Sequence, residues 1–129
     1  MGVVFLGAAK DGTRVAIKVL RPELAEDSEF RTRFRREVAA LTRVRGMCTV
    51  RVIEADTESR RPFVVTEYAD GPSLAEHVAS HGPLGAGLLH GLATGLAEAL
   101  AAIHAAGVVH RDLKPSNVLL AADGPKVID

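Results

Sequence analysis

The chain has no tryptophan, one tyrosine, four phenylalanines and one cysteine in 129 residues. With Cys48 alone, an internal disulfide is excluded, and a reducing, cytoplasmic setting fits. Cys48 itself reads as a small buried hydrophobe rather than a reactive thiol. Net charge is missing too: sixteen basic residues balance sixteen acidic ones, so no general pull toward nucleic acid or an anionic membrane is expected. No basic flank precedes the opening apolar residues, so no secretory or transit signal is expected. From His77 to Ala97 there is no Asp, Glu, Lys or Arg, which invites a membrane reading. Five glycines, Pro83 and three histidines thin that stretch, and Glu98 follows it, so a soluble helix is the expectation. The Gly91–Gly95 spacing, outside a continuous apolar run, carries little weight. No repeat or low-complexity linker is present.

What remains is a chain that is 47% hydrophobic, enough for the core of one domain. Val3 to Ala9 and Thr13 to Leu20 read as strands joined at Lys10-Asp11-Gly12, a hairpin signal. A helix is expected from Ser28 to Arg45, capped by Asp27 or Ser28 and stopped at Gly46. Val50 to Asp56 and Pro62 to Tyr68 form a second hairpin. Ser73 caps a short helix to Ser80, and a longer one runs from Leu84 to Ala106, ending at Gly107. Its Leu89, Leu92, Leu96, Leu100 and Ile103 share one face; Gly91, Gly95, Ala99, Ala102 and Ala106 form a small-residue side suited to close packing. Short strands at Val108-Val109 and Val118 to Ala121 flank a polar loop, and a last strand ends at Ile128. The order predicts an α+β fold in two parts, about 1–68 and 69–129.

Two charged residues sit where apolar ones belong. Lys18 lies in an apolar strand, on the face of Ala16 and Leu20, where it must either snorkel out or meet an anion. On a helical wheel from Phe30, Phe34 falls at about 40°, Leu41 at about 20° and Val44 at about −40°, with Glu37 among them at about −20°. One inward ammonium and one inward carboxylate neutralise each other, which predicts a Lys18–Glu37 pair. Arg31, Arg33, Arg35, Arg36 and Arg43 lie elsewhere on the wheel. Without interleaved aromatics they read as a solvated face, not a nucleic-acid patch.

The densest cluster is His110-Arg111-Asp112-Leu113-Lys114-Pro115-Ser116-Asn117, a polar loop held between apolar flanks. Such flanks position catalytic groups, though a solvated turn has the same composition. The closing Lys126-Val127-Ile128-Asp129 delivers another carboxylate on a strand. Asp112, Asn117 and Asp129 offer hard oxygens suited to Mg²⁺.

These motifs resemble the protein kinase signature set. Val15-Ala16-Ile17-Lys18 is similar to the family's lysine strand, and Glu37 stands at the place of the lysine's helix partner. His110 to Asn117 matches the catalytic loop, Gly2-Val3-Val4 resembles the end of the glycine-rich loop, and Asp129 resembles the Asp of Asp-Phe-Gly. The resemblance, strongest to bacterial kinases of the serine/threonine class, runs along the whole chain. It implies a two-lobed kinase-like fold and transfer of the ATP γ-phosphate to a protein Ser or Thr hydroxyl, with ATP and Mg²⁺ as cofactors.

By the same resemblance, Lys18 would hold the α- and β-phosphates and Glu37 would orient it. Asp112 would accept the hydroxyl proton and Lys114 steady the γ-phosphate, while Asn117 and Asp129 would hold Mg²⁺. Gly2 belongs to the phosphate loop; Val4, Ala16 and Leu119 would sandwich adenine. The backbone of Glu67 and Ala69 would bond its edge, with Thr66 as gatekeeper. Arg111 beside Asp112 is of the type controlled by activation-loop phosphorylation. Only one loop glycine and the first residue of Asp-Phe-Gly occur in these 129 residues, so this piece by itself is expected to be inactive. Two other classes compete. A non-catalytic nucleotide-binding or scaffold fragment would carry these residues as relics. A small-molecule phosphotransferase of similar fold would usually lack the pair Lys114-Pro115.

Overall fold

The turn at Lys10–Gly12 closes because Asp11 accepts the Thr13 N–H at 2.9 Å and Gly12 takes a φ of 86°, which suits glycine. It joins β1 (Gly2–Ala8) to β2 (Arg14–Leu20) as an antiparallel hairpin. The computed structural model describes residues 2–129; Met1 lies outside them. Two compact units result among the described residues, one of residues 2–43 with Arg51–Tyr68, the other of Val44–Val50 with Ala69–Asp129.

In the first unit, β3 (Val52–Asp56) and β4 (Phe63–Glu67) complete a four-stranded sheet of order β1-β2-β4-β3, antiparallel at each pairing. Pro22 starts a one-turn helix, α1 (Pro22–Ala25), absent from the sequence expectation. The following α2 (Ser28–Arg43) is capped by Asp27, whose Oδ1 accepts the N–H groups of Glu29 and Phe30 at 2.9 and 3.2 Å. Phe34 and Val38 of α2 pack with Leu20, Ala25 and Val64 as this unit's core.

Two of the arginines read as solvated do structural work instead. Arg31 donates to the carbonyls of Ala25, Glu58 and Ser59, and Arg35 binds the Glu58 carboxylate through two nitrogens at 2.7 and 3.1 Å. The loop between β3 and β4 supplies acceptors that wheel geometry alone does not reveal.

In the second unit Ser73 caps α3 (Leu74–His81) reciprocally: its hydroxyl accepts the Glu76 N–H and the Glu76 carboxylate accepts the Ser73 N–H. The long helix is α4 (Ala86–Ala105), and β5 (Val118–Ala121) pairs with β6 (Gly124–Val127). By length and a mean hydropathy of 1.4, α4 could cross a membrane. One side of it nevertheless packs into a protein core, where Ala99 and Ile103 meet Val44 and Val127. Its small-residue side behaves as expected at Gly95, where a Cβ would lie 2.2 Å from the Pro125 ring. Its leucine face is only partly covered, with Leu92 buried and Leu89 54% exposed. The strand expected at Val108-Val109 is absent; these residues leave α4 through Gly107, at φ 77°, as extended chain without a ladder partner among the described residues.

Candidate active site

Lys18 sits in the middle of β2, an interior strand, opposite Val4 on β1 and Val64 on β4. Directly paired residues share a sheet face, so the register puts Val4, Leu6, Ala16, Lys18, Leu20, Val64 and Thr66 on one side. That is the side on which Phe34 and Val38 of α2 pack. Gly2 pairs with Leu20, and a Cβ there would stand 2.3 Å from the Val19 carbonyl oxygen, so no larger residue fits without moving the strand.

Glu37 departs from the expectation. It is exposed, and among the described residues no ion pair joins it to Lys18. The buried stripe of α2 is centred between Phe34 and Val38, and Val44 lies beyond the helix end. Glu37 therefore falls about 80° from that centre, on the flank of the helix. A wheel drawn through Phe30, Phe34, Leu41 and Val44 centres the stripe too close to Glu37.

Glu67 closes β4. Its N–H donates to the Arg51 carbonyl at 2.9 Å, and its carboxylate accepts the Arg51 N–H at 3.1 Å and pairs with the guanidinium at 3.3 Å. In the second unit, Leu119 on β5 bridges Ser73, and the Leu120 N–H donates to the Pro72 carbonyl at 2.8 Å. The segment leading from Ala69 into α3 is thereby laid along β5. A Cβ on Gly71 would stand 2.1 Å from the Leu120 carbonyl oxygen, so the approach needs glycine.

The polar loop is a hydrogen-bonded cluster, not a solvated turn. Asn117, in the 3₁₀ turn Pro115–Asn117, is buried and donates through Nδ2 to the Asp112 carbonyl at 2.9 Å and to Asp112 Oδ2 at 3.2 Å. Lys114 Nζ lies 2.8 Å from the same carboxylate oxygen. The hydrogen bond from Lys114 holds the Asp112 carboxyl below its ordinary range against desolvation, with the Lys114 charge and the Asn117 donor adding to the lowering. Asp112 is thus ionised, exposed and fixed in direction.

His110 has a role that the sequence pattern did not assign. Its Nδ1 accepts the Asp112 N–H at 3.2 Å, so the proton sits on Nε2, which donates to the Ile128 carbonyl at 3.0 Å. Arg111, between them, takes a φ of 67°, the left-handed turn that points the Asp112 N–H back at the ring. The Ile128 N–H donates to the Asn117 carbonyl at 3.0 Å, so Asp129 directly follows a residue tied to both His110 and Asn117. Its own φ of 53° is also left-handed.

The donor set suits a hard cation. Both Nδ2 bonds of Asn117 go to Asp112, which leaves its amide oxygen as an acceptor that a cation could use, and Asp129 adds an exposed carboxylate. Among the described residues no three His, Cys, Asp or Glu side chains gather into a metal site on their own. A cation here would need oxygens from a bound molecule, as Mg²⁺ held partly by phosphates does.

The protein kinase domain family matches across residues 1–129. The chain is 54% identical over its whole length to the probable serine/threonine-protein kinase PkwA of Thermomonospora curvata, covering 17% of that protein. It is equally identical, at 54%, to the serine/threonine-protein kinase AfsK of Streptomyces coelicolor, covering 16% of it. The chain therefore spans about a sixth of the length of these curated relatives. Among solved structures, the PknI kinase domain of Mycobacterium tuberculosis superposes on the whole chain with a TM-score of 0.84 at 32% identity, the match covering 53% of that domain's chain.

Proposed function

The chain belongs to the protein kinase domain family, and from that premise we propose that it is part of a serine/threonine kinase that moves the ATP γ-phosphate onto a protein hydroxyl. The observation that carries this reading is the cluster of Asp112, Lys114 and Asn117. A carboxylate kept ionised and aimed by two donors suits a base for a Ser or Thr hydroxyl. In the reaction, that hydroxyl oxygen forms a bond to the γ-phosphorus as the bond to the bridging β,γ-oxygen breaks. ADP leaves, and Asp112 takes the hydroxyl proton.

The remaining roles follow residue by residue. Lys18 would bind the α- and β-phosphates, and Gly2 would let the backbone approach them. Val4, Ala16 and Leu119 would flank adenine, with the backbone of Glu67 and Ala69 at its edge and Thr66 behind. The Glu67 N–H is already spent on Arg51, so its carbonyl would serve the nucleotide. Lys114 would steady the γ-phosphate during transfer; with Pro115 it favours a protein substrate over a small molecule. Asn117 and Asp129 would hold Mg²⁺, which neutralises phosphate charge when bound. We place this domain in the cytoplasm, where ATP and protein substrates are available.

One observation favours a second reading, a nucleotide-binding domain without catalysis: Glu37 is exposed and makes no ion pair with Lys18. Transfer of γ-³²P from ATP by the full-length protein separates the two. Phosphoserine or phosphothreonine in a protein substrate supports the kinase. ATP binding with no transfer supports the alternative.

A further inference from the structure

Glu98 is the only charged residue in the twenty of α4. Its two carboxylate oxygens accept successive backbone N–H groups, from Met47 at 3.1 Å and Cys48 at 2.9 Å. Consecutive amides converging on one anion form a nest, here filled by the chain's own carboxylate. The turn so held is pressed onto α4: a Cβ on Gly46 would lie 2.7 Å from the Ala102 Cβ and 3.1 Å from Glu98 Oε1.

The other side of the turn is built into β6. The Val127 N–H donates to the Cys48 carbonyl at 2.8 Å, Thr49 bridges Val127, and Lys126 Nζ donates to the Met47 carbonyl. Val127 is followed by Ile128, whose N–H is bonded to Asn117 and whose carbonyl is bonded to His110. Hydrogen bonds joined by short stretches of backbone thus lead from Glu98 through one turn and one strand end to Asn117 and Asp112, with Asp129 the residue that follows Ile128.

We propose that Glu98 is a positioning residue for phosphoryl transfer, fixing through the Met47–Cys48 turn the strand end that presents Asp129 beside Asn117. This rests on the kinase reading above. Without the carboxylate, two amides lose their acceptor and the turn can lift from α4. The strand end it pins is then free to shift, and a displacement on the scale of an ångström is costly to a reaction that depends on placement.

The test uses the full-length protein with Glu98→Gln, which keeps the volume but has only one acceptor oxygen, and Gly46→Ala, which displaces the same turn while leaving Glu98 intact. Amide exchange at Met47, Cys48 and Val127, melting, and kcat across a Mg²⁺ titration are the readouts. In protein that still melts cooperatively, both variants should lose about tenfold in kcat and need severalfold more Mg²⁺ for half-maximal rate, with faster exchange at those amides. If one variant does not fold, the other carries the test. Variants that melt lower but keep kcat and Mg²⁺ dependence within about twofold of the parent would overturn the proposal, because a purely structural clasp predicts that result. A parent protein that binds ATP and transfers nothing would overturn the kinase reading itself, and this role with it.

Discussion

Asn117 binds Asp112 twice, its side-chain amide donating to the backbone carbonyl at 2.9 Å and to the carboxylate at 3.2 Å. One residue therefore aims the candidate base, and on the proposed reading its remaining oxygen would serve a cation. Asn117→Ala removes both functions. Activity of the full-length protein should fall by about 10–100-fold, and the Mg²⁺ concentration for half-maximal rate should rise. Steady-state kinetics at varied Mg²⁺ check this.

Lys114 is the largest cause of the lowered Asp112 pKa. Because the folded-state value lies below the unfolded one, the ionised form is favoured in the folded protein. That contribution is present above the unfolded pKa and is lost as pH falls through the folded one. Lys114→Met should move the acid limb of the pH–kcat/KM profile upward, toward an ordinary carboxylate. An NMR titration of Asp112 should show the same direction.

Two glycines of α4 should respond to alanine with opposite signs. A Cβ at Gly91 meets nothing within 4 Å, so Gly91→Ala gains helix propensity and should stabilise by about 0.5–1 kcal/mol. At Gly95 the same gain is opposed by a Cβ placed 2.2 Å from the Pro125 ring. Overpacking of that kind costs about 1–3 kcal/mol, so Gly95→Ala should be destabilising on balance. Urea unfolding of the two variants reads both signs.

Most of this fold was legible because its signals are local. The Asp11-Gly12 turn, the Asp27 and Ser73 caps and the hydrophobic spacing of α2 and α4 each depend on residues within a few positions. The clustering within the polar loop was legible for the same reason, since Asp112, Lys114 and Asn117 lie within a few positions of one another. Long-range relationships were not. The rotation of α2 is set by Leu20 and Val64 on the sheet, and that is what carries Glu37 to the flank. The acceptors of Arg31 and Arg35 lie in the loop after β3, and the amides held by Glu98 are some fifty residues away in the chain. A lone carboxylate in an otherwise uncharged helix was the available clue to Glu98.

In the present arrangement Glu37 makes no ion pair with Lys18, so Glu37→Gln should leave stability within about 0.5 kcal/mol of the parent. If α2 rotates during turnover to bring Glu37 onto Lys18, the same substitution should lower kcat/KM for ATP. Thermal melts paired with kinetics separate the two effects.

The central claim, that Asp112 is the base of a phosphoryl transfer, is tested most directly by comparing Asp112→Ala with Asp129→Ala in the full-length protein. Transfer from γ-labelled ATP and the affinity for Mg²⁺-ATP are measured on each. The predicted result is that Asp112→Ala abolishes transfer while nucleotide affinity stays close to that of the parent, and that Asp129→Ala loses both transfer and Mg²⁺-dependent binding. Transfer by Asp112→Ala at the rate of the parent would contradict the account.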